Sequence, residues 1–275
     1  MEMSGGDGRK DLICAVCDPR HLSDILSGIS FKRGQIATCS ADPTEGLQFV
    51  ADMSSCHAKV HLHAELFESF VVRPDVKFKI NLTSLLDCLN VFSQSAATQI
   101  SSPLHISYSD GEPLTLKLHG ADRETSCTVQ TMIADENDDM TPDDISANCK
   151  ALISSEALRD IFAEFDYSNP SAKVAMTSET PEALTFTIDS TSGFTFEASL
   201  PKDAAVFTDY ECSESQSNTY NLSQLKYCSK ALTLSDTTKV SMNTSNMLTL
   251  QCVVPNNGMD GAYLEFMFFP TVEEA

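Results

Sequence analysis

Three groups of residues in this chain have types and spacings that could do chemistry. Cys14-x-x-Cys17 has the spacing of a dithiol redox centre or of half a zinc site. His57, His61 and His63 recur at even intervals in HAKVHLH, so a strand would carry all three on one face, as a metal site would require. The run ADENDDMTPDD, residues 134–144, gathers Asp135, Glu136, Asp138, Asp139, Asp143 and Asp144, enough carboxylates for a two-metal nuclease.

Each group also has a plainer reading. No second cysteine pair completes a zinc ribbon, and an internal match that aligns Cys17 with Ile153 makes Cys17 a small buried hydrophobe. No cysteine or carboxylate at a fitting spacing completes the histidine group, and a solvated polar strand face accounts for it. Catalytic carboxylates need rigid elements that hold two cations about 4 Å apart, whereas 134–144 reads as a solvated Asp/Asn/Thr/Pro linker. The sequence has no P-loop, no Gly-rich dinucleotide fingerprint, no G-x-S-x-G elbow and no H-E-x-x-H. The expectation is a chain with no catalytic residues, no metal and no cofactor. A metal-dependent exonuclease built on the acidic run is the alternative from another class.

The elements that would position these groups come from hydrophobic periodicity. Val76, Phe78 and Ile80 alternate with Lys77 and Lys79, and from Leu82 the period lengthens to Leu82, Leu85, Leu86, Leu89 and Phe92. A strand therefore hands over to a helix, with Asn81 placed as its cap. The same word returns 140 residues later, Asn221-Leu222-Ser223-x-Leu225-x-x-Cys228 against Asn81-Leu82-Thr83-x-Leu85-x-x-Cys88. A second pair, Leu22-Ser-Asp24-Ile25-Leu26 and Leu158-Arg-Asp160-Ile161-Phe162, stands at an offset of 136. Asp18-Pro19 and Ser154-Ser155 supply the capping signals for these.

Two helix pairs in one order at nearly one offset point to an internal duplication. Between them lie short alternating segments bounded by turn residues: 35–39, 47–51, 59–66, 104–108, 114–118 and 125–131, then 174–177, 184–188, 194–200, 247–254 and 263–269. The fold class expected is α+β, two repeated subdomains of antiparallel sheet, each with two amphipathic helices on one face. The boundaries expected are a disordered 1–10, a first subdomain 11–133, an acidic linker 134–148, a second subdomain 149–270 and an acidic tail 271–275.

Charge and cysteine content narrow the setting. Against 39 Asp+Glu stand 18 Lys+Arg, a formal net charge of −21, which disfavours strong binding to nucleic acid or acidic membrane unless the cations share one surface. MEMSGGDGRKDL lacks a signal-peptide apolar core, so the expectation is an intracellular protein whose ten cysteines are thiols. The sugar-acceptor triplets at Asn81, Asn221 and Asn243 would then have no glycan to take.

Two copies of a sheet-plus-two-helices unit joined by a long linker resemble the sliding-clamp fold, as in proliferating-cell nuclear antigen. The run Phe78-x-Ile80-Asn81-Leu82-Thr83-x-Leu85-Leu86-Asp87-Cys88-Leu89 is similar to a narrower family, the Rad-one subunits of the nine-one-one checkpoint clamp. Leu22-Ser23-x-Ile25-Leu26 and Ser155-Glu156-x-Leu158-Arg159 resemble its other helix starts, and the similarity runs from about residue 11 to about residue 270.

The resemblance implies a heterotrimeric ring with Rad-nine-like and Hus-one-like partners, placed on double-stranded DNA by a clamp loader in the nucleus. It would serve checkpoint and repair proteins there, with no role at a membrane. A homotrimeric replication processivity clamp is the alternative within the fold. The resemblance also implies that the helices face DNA, with Arg20, Arg159, Lys226 and Lys230 on them and Lys32 and Arg33 in a flanking loop. Asp24, Asp87, Glu156, Asp160 and Glu164 share those helices, so DNA attraction by this chain is expected to be modest. Ring edges are expected at Arg123, Thr125, Cys127 and Val129 in the first half, and at Phe194, Phe196 and Ala198 in the second. Asp135, Glu136, Ile145 and Pro270 would border a groove for partner peptides.

Overall fold

The computed structural model describes residues 10–73, 76–96, 102–120, 123–134, 147–179, 181–256 and 259–271. The expected termini 1–10 and 271–275 and the linker 134–148, with Asp135, Glu136, Asp138, Asp139 and Ile145, fall wholly or largely outside the described residues.

The chain divides into two compact units, one of 1–49 with 61–138 and one of 50–60 with 139–275. In the first unit β1 (Leu12–Val16) leads into α1 (Pro19–Ser27), β2 (Ile36–Asp42) and β3 (Gly46–Met53). β4 (Cys56–His63) turns back from β3, and β5 (Ser69–Val72) and β6 (Val76–Asn81) lead into α2 (Leu82–Ala96). Four strands complete the unit: β7 (Leu104–Tyr108), β8 (Leu114–His119), β9 (Glu124–Val129) and β10 (Thr131–Ile133). One sheet has the order β5-β1-β7-β8-β9, and a second runs β10-β6-β2-β3. α1 and α2 pack on each other.

The second unit contains β11 (Ala147–Ser154), α3 (Ser155–Ala163), β12 (Ser171–Met176), β13 (Glu182–Asp189), β14 (Thr195–Pro201), β15 (Phe207–Cys212) and β16 (Gln216–Asn221). These are followed by α4 (Leu222–Leu225), α5 (Ser229–Leu234), β17 (Thr237–Asn243), β18 (Leu248–Asn256) and β19 (Met259–Phe268). Its sheets have the orders β15-β11-β17-β18-β19 and β14-β13-β12-β16. The sequence puts 50–60 in the first subdomain, but the contacts group them with the second. There the Phe269 N–H donates to the Ser55 carbonyl (3.1 Å), and Ser55 Oγ bonds Gln224 Oε1 (2.8 Å).

The helices form for the reasons the sequence gives, with corrections at their ends. Asp18 Oδ1 accepts from the amides of Arg20 and His21, and Pro19 needs no amide partner at the first helical position. Asn81 Oδ1 accepts the Ser84 amide (3.2 Å). Leu82, Leu85, Leu89 and Phe92 are buried, each burial contributing about 1.5–3 kcal/mol.

In the second unit the capping signals fail. Ser154 makes no side-chain cap, and the Ser155 hydroxyl is buried between Ser235 (2.8 Å) and Thr238 (2.7 Å). Asn221 also makes no cap; its Oδ1 accepts from the Ser223 hydroxyl instead. Asn81→Ala should therefore cost about 1 kcal/mol and Asn221→Ala only a few tenths, compared by urea unfolding.

The expected second helix of that unit is broken, with Lys226–Cys228 a single 3-10 turn between α4 and α5. Cys228 Sγ donates to the Leu225 carbonyl (2.9 Å), a back-bond that competes with the α ladder.

Two other readings change. β4 ends at His63, and the rest of the expected 59–66 strand is a 3-10 turn, Ala64–Leu66. The histidines do not form a solvated face, because β4 is covered on both sides: His57 and His61 are 7% and 5% exposed. His57 Nδ1 meets the Asp52 carboxylate, and His61 Nε2 the Glu45 carbonyl (2.9 Å).

Candidate functional site

The first unit presents one helix layer. Its buried stripe leaves Arg20 and Asp24 of α1, and Ser84, Asp87, Asn90 and Val91 of α2, exposed. Ser23 Oγ donates to Asn90 Oδ1 (3.2 Å), pinning α1 to α2. Lys32 and Arg33 are exposed in the bend before β2, and that bend is anchored to the start of α2. The Gly34 N–H donates to Thr83 Oγ1 (2.8 Å), and the Leu82 N–H to the Gln35 carbonyl (2.8 Å). Gly34 takes φ +74 there, a left-handed conformation glycine adopts at little cost. Arg20, Lys32 and Arg33 make no ion pair among the described residues.

The second unit treats its cations differently. Arg159 lies 3.4 Å from Glu156 and 3.9 Å from Asp160, so its charge is already shared along α3. Lys226 stands over the Tyr167 ring, 5.2 Å from its centroid. Lys230 is exposed on α5 with no ion pair among the described residues. Glu164 and Asp160 are exposed too. A phosphate backbone could be met by the free cations through weak, sequence-independent contacts.

Both expected edge segments lie at sheet edges. β9 ends the five-stranded sheet and β14 ends the four-stranded one, so each has an unpaired backbone side among the described residues. Arg123 is exposed just before β9, Thr125 and Cys127 are half-buried, and Val129 is buried. On β14 the inward set is Phe196, Ala198 and Leu200, half-buried, with the Phe196 ring 5.9 Å from that of Phe165. Phe194 precedes the strand and is 55% exposed. Glu124, Ser126 and Thr128 face outward on β9 against Thr195, Glu197 and Ser199 on β14. Both edges are thus polar on the outward face, while the inward face carries Thr125, Cys127 and Val129 on β9 and the bulkier Phe196, Ala198 and Leu200 on β14.

Of the expected groove residues only Pro270 is described. It is half-buried, and the next residue, Thr271, donates from its N–H (2.8 Å) and hydroxyl (3.0 Å) to the Thr219 carbonyl on β16.

The cysteines depart from expectation in two places. Cys17 is exposed, not a buried hydrophobe, and its thiol donates to Glu68 Oε2 (3.6 Å). Cys149 and Cys212, cross-strand partners on β11 and β15, are joined as a disulfide, so not every cysteine is a thiol. Among the described residues no group of three or more His, Cys, Asp or Glu is placed to hold a metal ion, and no helix is long and apolar enough to cross a membrane.

Sequence reasoning missed the anchoring of the Lys32–Arg33 bend, for which Gly34 was the available signal. It also missed the edge strand β5, whose Val71 stands opposite Ile13 with both side chains exposed.

Comparison with known proteins places this architecture. A model of the family described as repair protein Rad1/Rec1/Rad17 matches residues 14–254. The cell cycle checkpoint protein RAD1 of Mus musculus is 30% identical over 267 residues, covering 95% of this chain and 93% of its own. The human protein of the same name is 30% identical over 272 residues, covering 97% and 94%. In Caenorhabditis elegans the checkpoint protein RAD1 homolog mrt-2 is 24% identical over 259 residues, covering 93% and 92%. Among solved structures, a chain of the PCNA2–PCNA3 complex from Sulfolobus tokodaii superposes with a TM-score of 0.73 at 19% identity, covering 94% of this chain and 98% of that one. The chain therefore has the DNA-clamp fold and belongs to the Rad1/Rec1/Rad17 family of repair proteins.

Proposed function

We propose that this chain is a non-catalytic subunit of a ring of three different subunits that encircles DNA at damage sites and serves as a platform for checkpoint and repair factors. The observation that carries the reading is the pair of unlike edge strands, β9 in one unit and β14 in the other. Edge strands with unpaired amides favour strand addition, and two unlike edges favour head-to-tail contacts that close into a ring. The checkpoint names of the relatives and the two-component clamp among the solved structures support different subunits over identical ones.

In this reading the helices face the duplex in the nucleus. Lys32, Arg33, Arg20 and Lys230 supply the phosphate contacts, while Arg159 and Lys226 contribute less because they are already engaged. Topological closure makes weak contacts sufficient, which reconciles DNA binding with a net charge of −21. The two partners are Rad-nine-like and Hus-one-like chains, and a clamp loader opens the ring.

Co-expression with the two partners followed by native mass measurement should give a complex with one copy of each. A stable trimer of this chain alone would sink the heterotrimer and favour a replication clamp. Metal-dependent DNA degradation lost in D138N/D139N would favour the exonuclease.

A further inference from the structure

We propose that Cys88 and Cys127 form a reversible dithiol–disulfide pair that staples helix α2 to the edge strand β9. Cys88 lies on α2 and Cys127 in the middle of β9, two elements that pack on each other. Both thiols are half-buried and free, and Cys127 is the thiol that neighbours Cys88.

The other free cysteines lack this combination of a thiol partner and access. Cys14, Cys39, Cys56, Cys228 and Cys252 are buried, and burial pushes the Cys14 and Cys56 thiols up to about 12. Cys17 is exposed, but its hydrogen-bond partner is the Glu68 carboxylate.

The chemistry balances with a low-molecular-weight disulfide, RSSR, as the oxidant. One cysteine thiolate attacks RSSR, forming a protein–SR mixed disulfide and releasing one RS⁻. The second cysteine thiolate then attacks the protein sulfur of that bond and releases the second RS⁻. The two cysteines lose two electrons and two protons; RSSR gains both and leaves as two RSH. Desolvation, the neighbouring Cys127 and the Asp87 carboxylate hold the Cys88 thiol up at about 11. Little Cys88 thiolate therefore exists near neutrality, which protects the pair from casual oxidation.

Cys127 points inward between Thr125 and Val129 on β9, so the staple leaves the unpaired backbone edge untouched. It fixes in place a strand that, among the described residues, has only β8 as a sheet neighbour. The consequence for ring closure rests on the function proposed above; the thiol chemistry and the fixing of β9 do not.

The test uses the purified full chain, fully reduced and then treated with oxidised glutathione, alkylated and mapped without reduction. The Cys149–Cys212 peptide reports that oxidation took place. The expected result is a Cys88–Cys127 cross-linked peptide that is absent in Cys127→Ser. Amide exchange across 124–129 should also slow about tenfold relative to the reduced chain. Full alkylation of both thiols after oxidation would overturn the pair. A cross-link with unchanged exchange would overturn the staple. Assembly of a C88S/C127S chain with the two partners is measured separately, so failure of the ring reading is distinguishable from failure of this one.

Discussion

Replacing Gly46 with alanine is expected to remove at least about 4 kcal/mol of stability, enough to leave the chain largely insoluble or unfolded at 37 °C. Gly46 opens β3 at φ +111, a region L residues rarely enter. A Cβ there would lie 2.0 Å from the Leu62 carbonyl oxygen, 2.7 Å from the Ala64 nitrogen and 2.9 Å from the His63 carbonyl carbon. All three are backbone atoms, so no rotamer change relieves the overlap, and β4 would have to move. Gly111 provides the comparison, with φ +72 but nothing within 4 Å of its Cβ position. Gly111→Ala should cost only about 1–2 kcal/mol, the left-handed penalty alone. Soluble yield and urea midpoints of the two variants check this, and equal midpoints would contradict the close approach.

The second large effect concerns DNA. The double variant K32E/R33E should fold and assemble normally, yet lower the salt dependence of DNA association by the assembled ring by about two phosphate contacts. Both side chains are exposed and make no ion pair among the described residues. The Gly34–Thr83 and Leu82–Gln35 hydrogen bonds hold their bend at the start of α2, so it belongs to the same layer as the helices. Arg159→Glu should do less, because the Glu156 and Asp160 carboxylates beside it already offset that charge. Titration of DNA at several salt concentrations decides the ranking. An Arg159→Glu effect as large as that of the double variant would place the contact on α3 instead.

Much of the architecture is legible in the residues. The period change at Asn81, its echo at Asn221 and the paired α1 and α3 words encode a duplicated unit, because 3.6- and 2-residue periodicities are local properties of a chain that must bury one face. Where each side chain bonds is another matter. Asn81 and Asn221 occupy equivalent positions, yet only Asn81 caps its helix. The difference lies in Ser223, whose hydroxyl bonds Asn221 Oδ1, whereas Thr83 at the matching place accepts the Gly34 N–H. The histidines of β4 read as solvent-facing because alternation cannot tell a strand covered on one face from one covered on both.

The sequence by itself determined the two-unit α+β plan and the absence of familiar catalytic motifs, which follow from local pattern and spacing, and its resemblance to known proteins pointed to the family. Only the tertiary structure decided which cations are free and which are already paired, which strands end their sheets, and which cysteines meet. Those properties depend on where each side chain comes to rest and on what packs against it, near or far along the chain. The partner of Arg159 is within one turn, but that of Cys88 is on another element, and burial is set by what packs above a residue. The periodic signal in the chain carries no record of such neighbours.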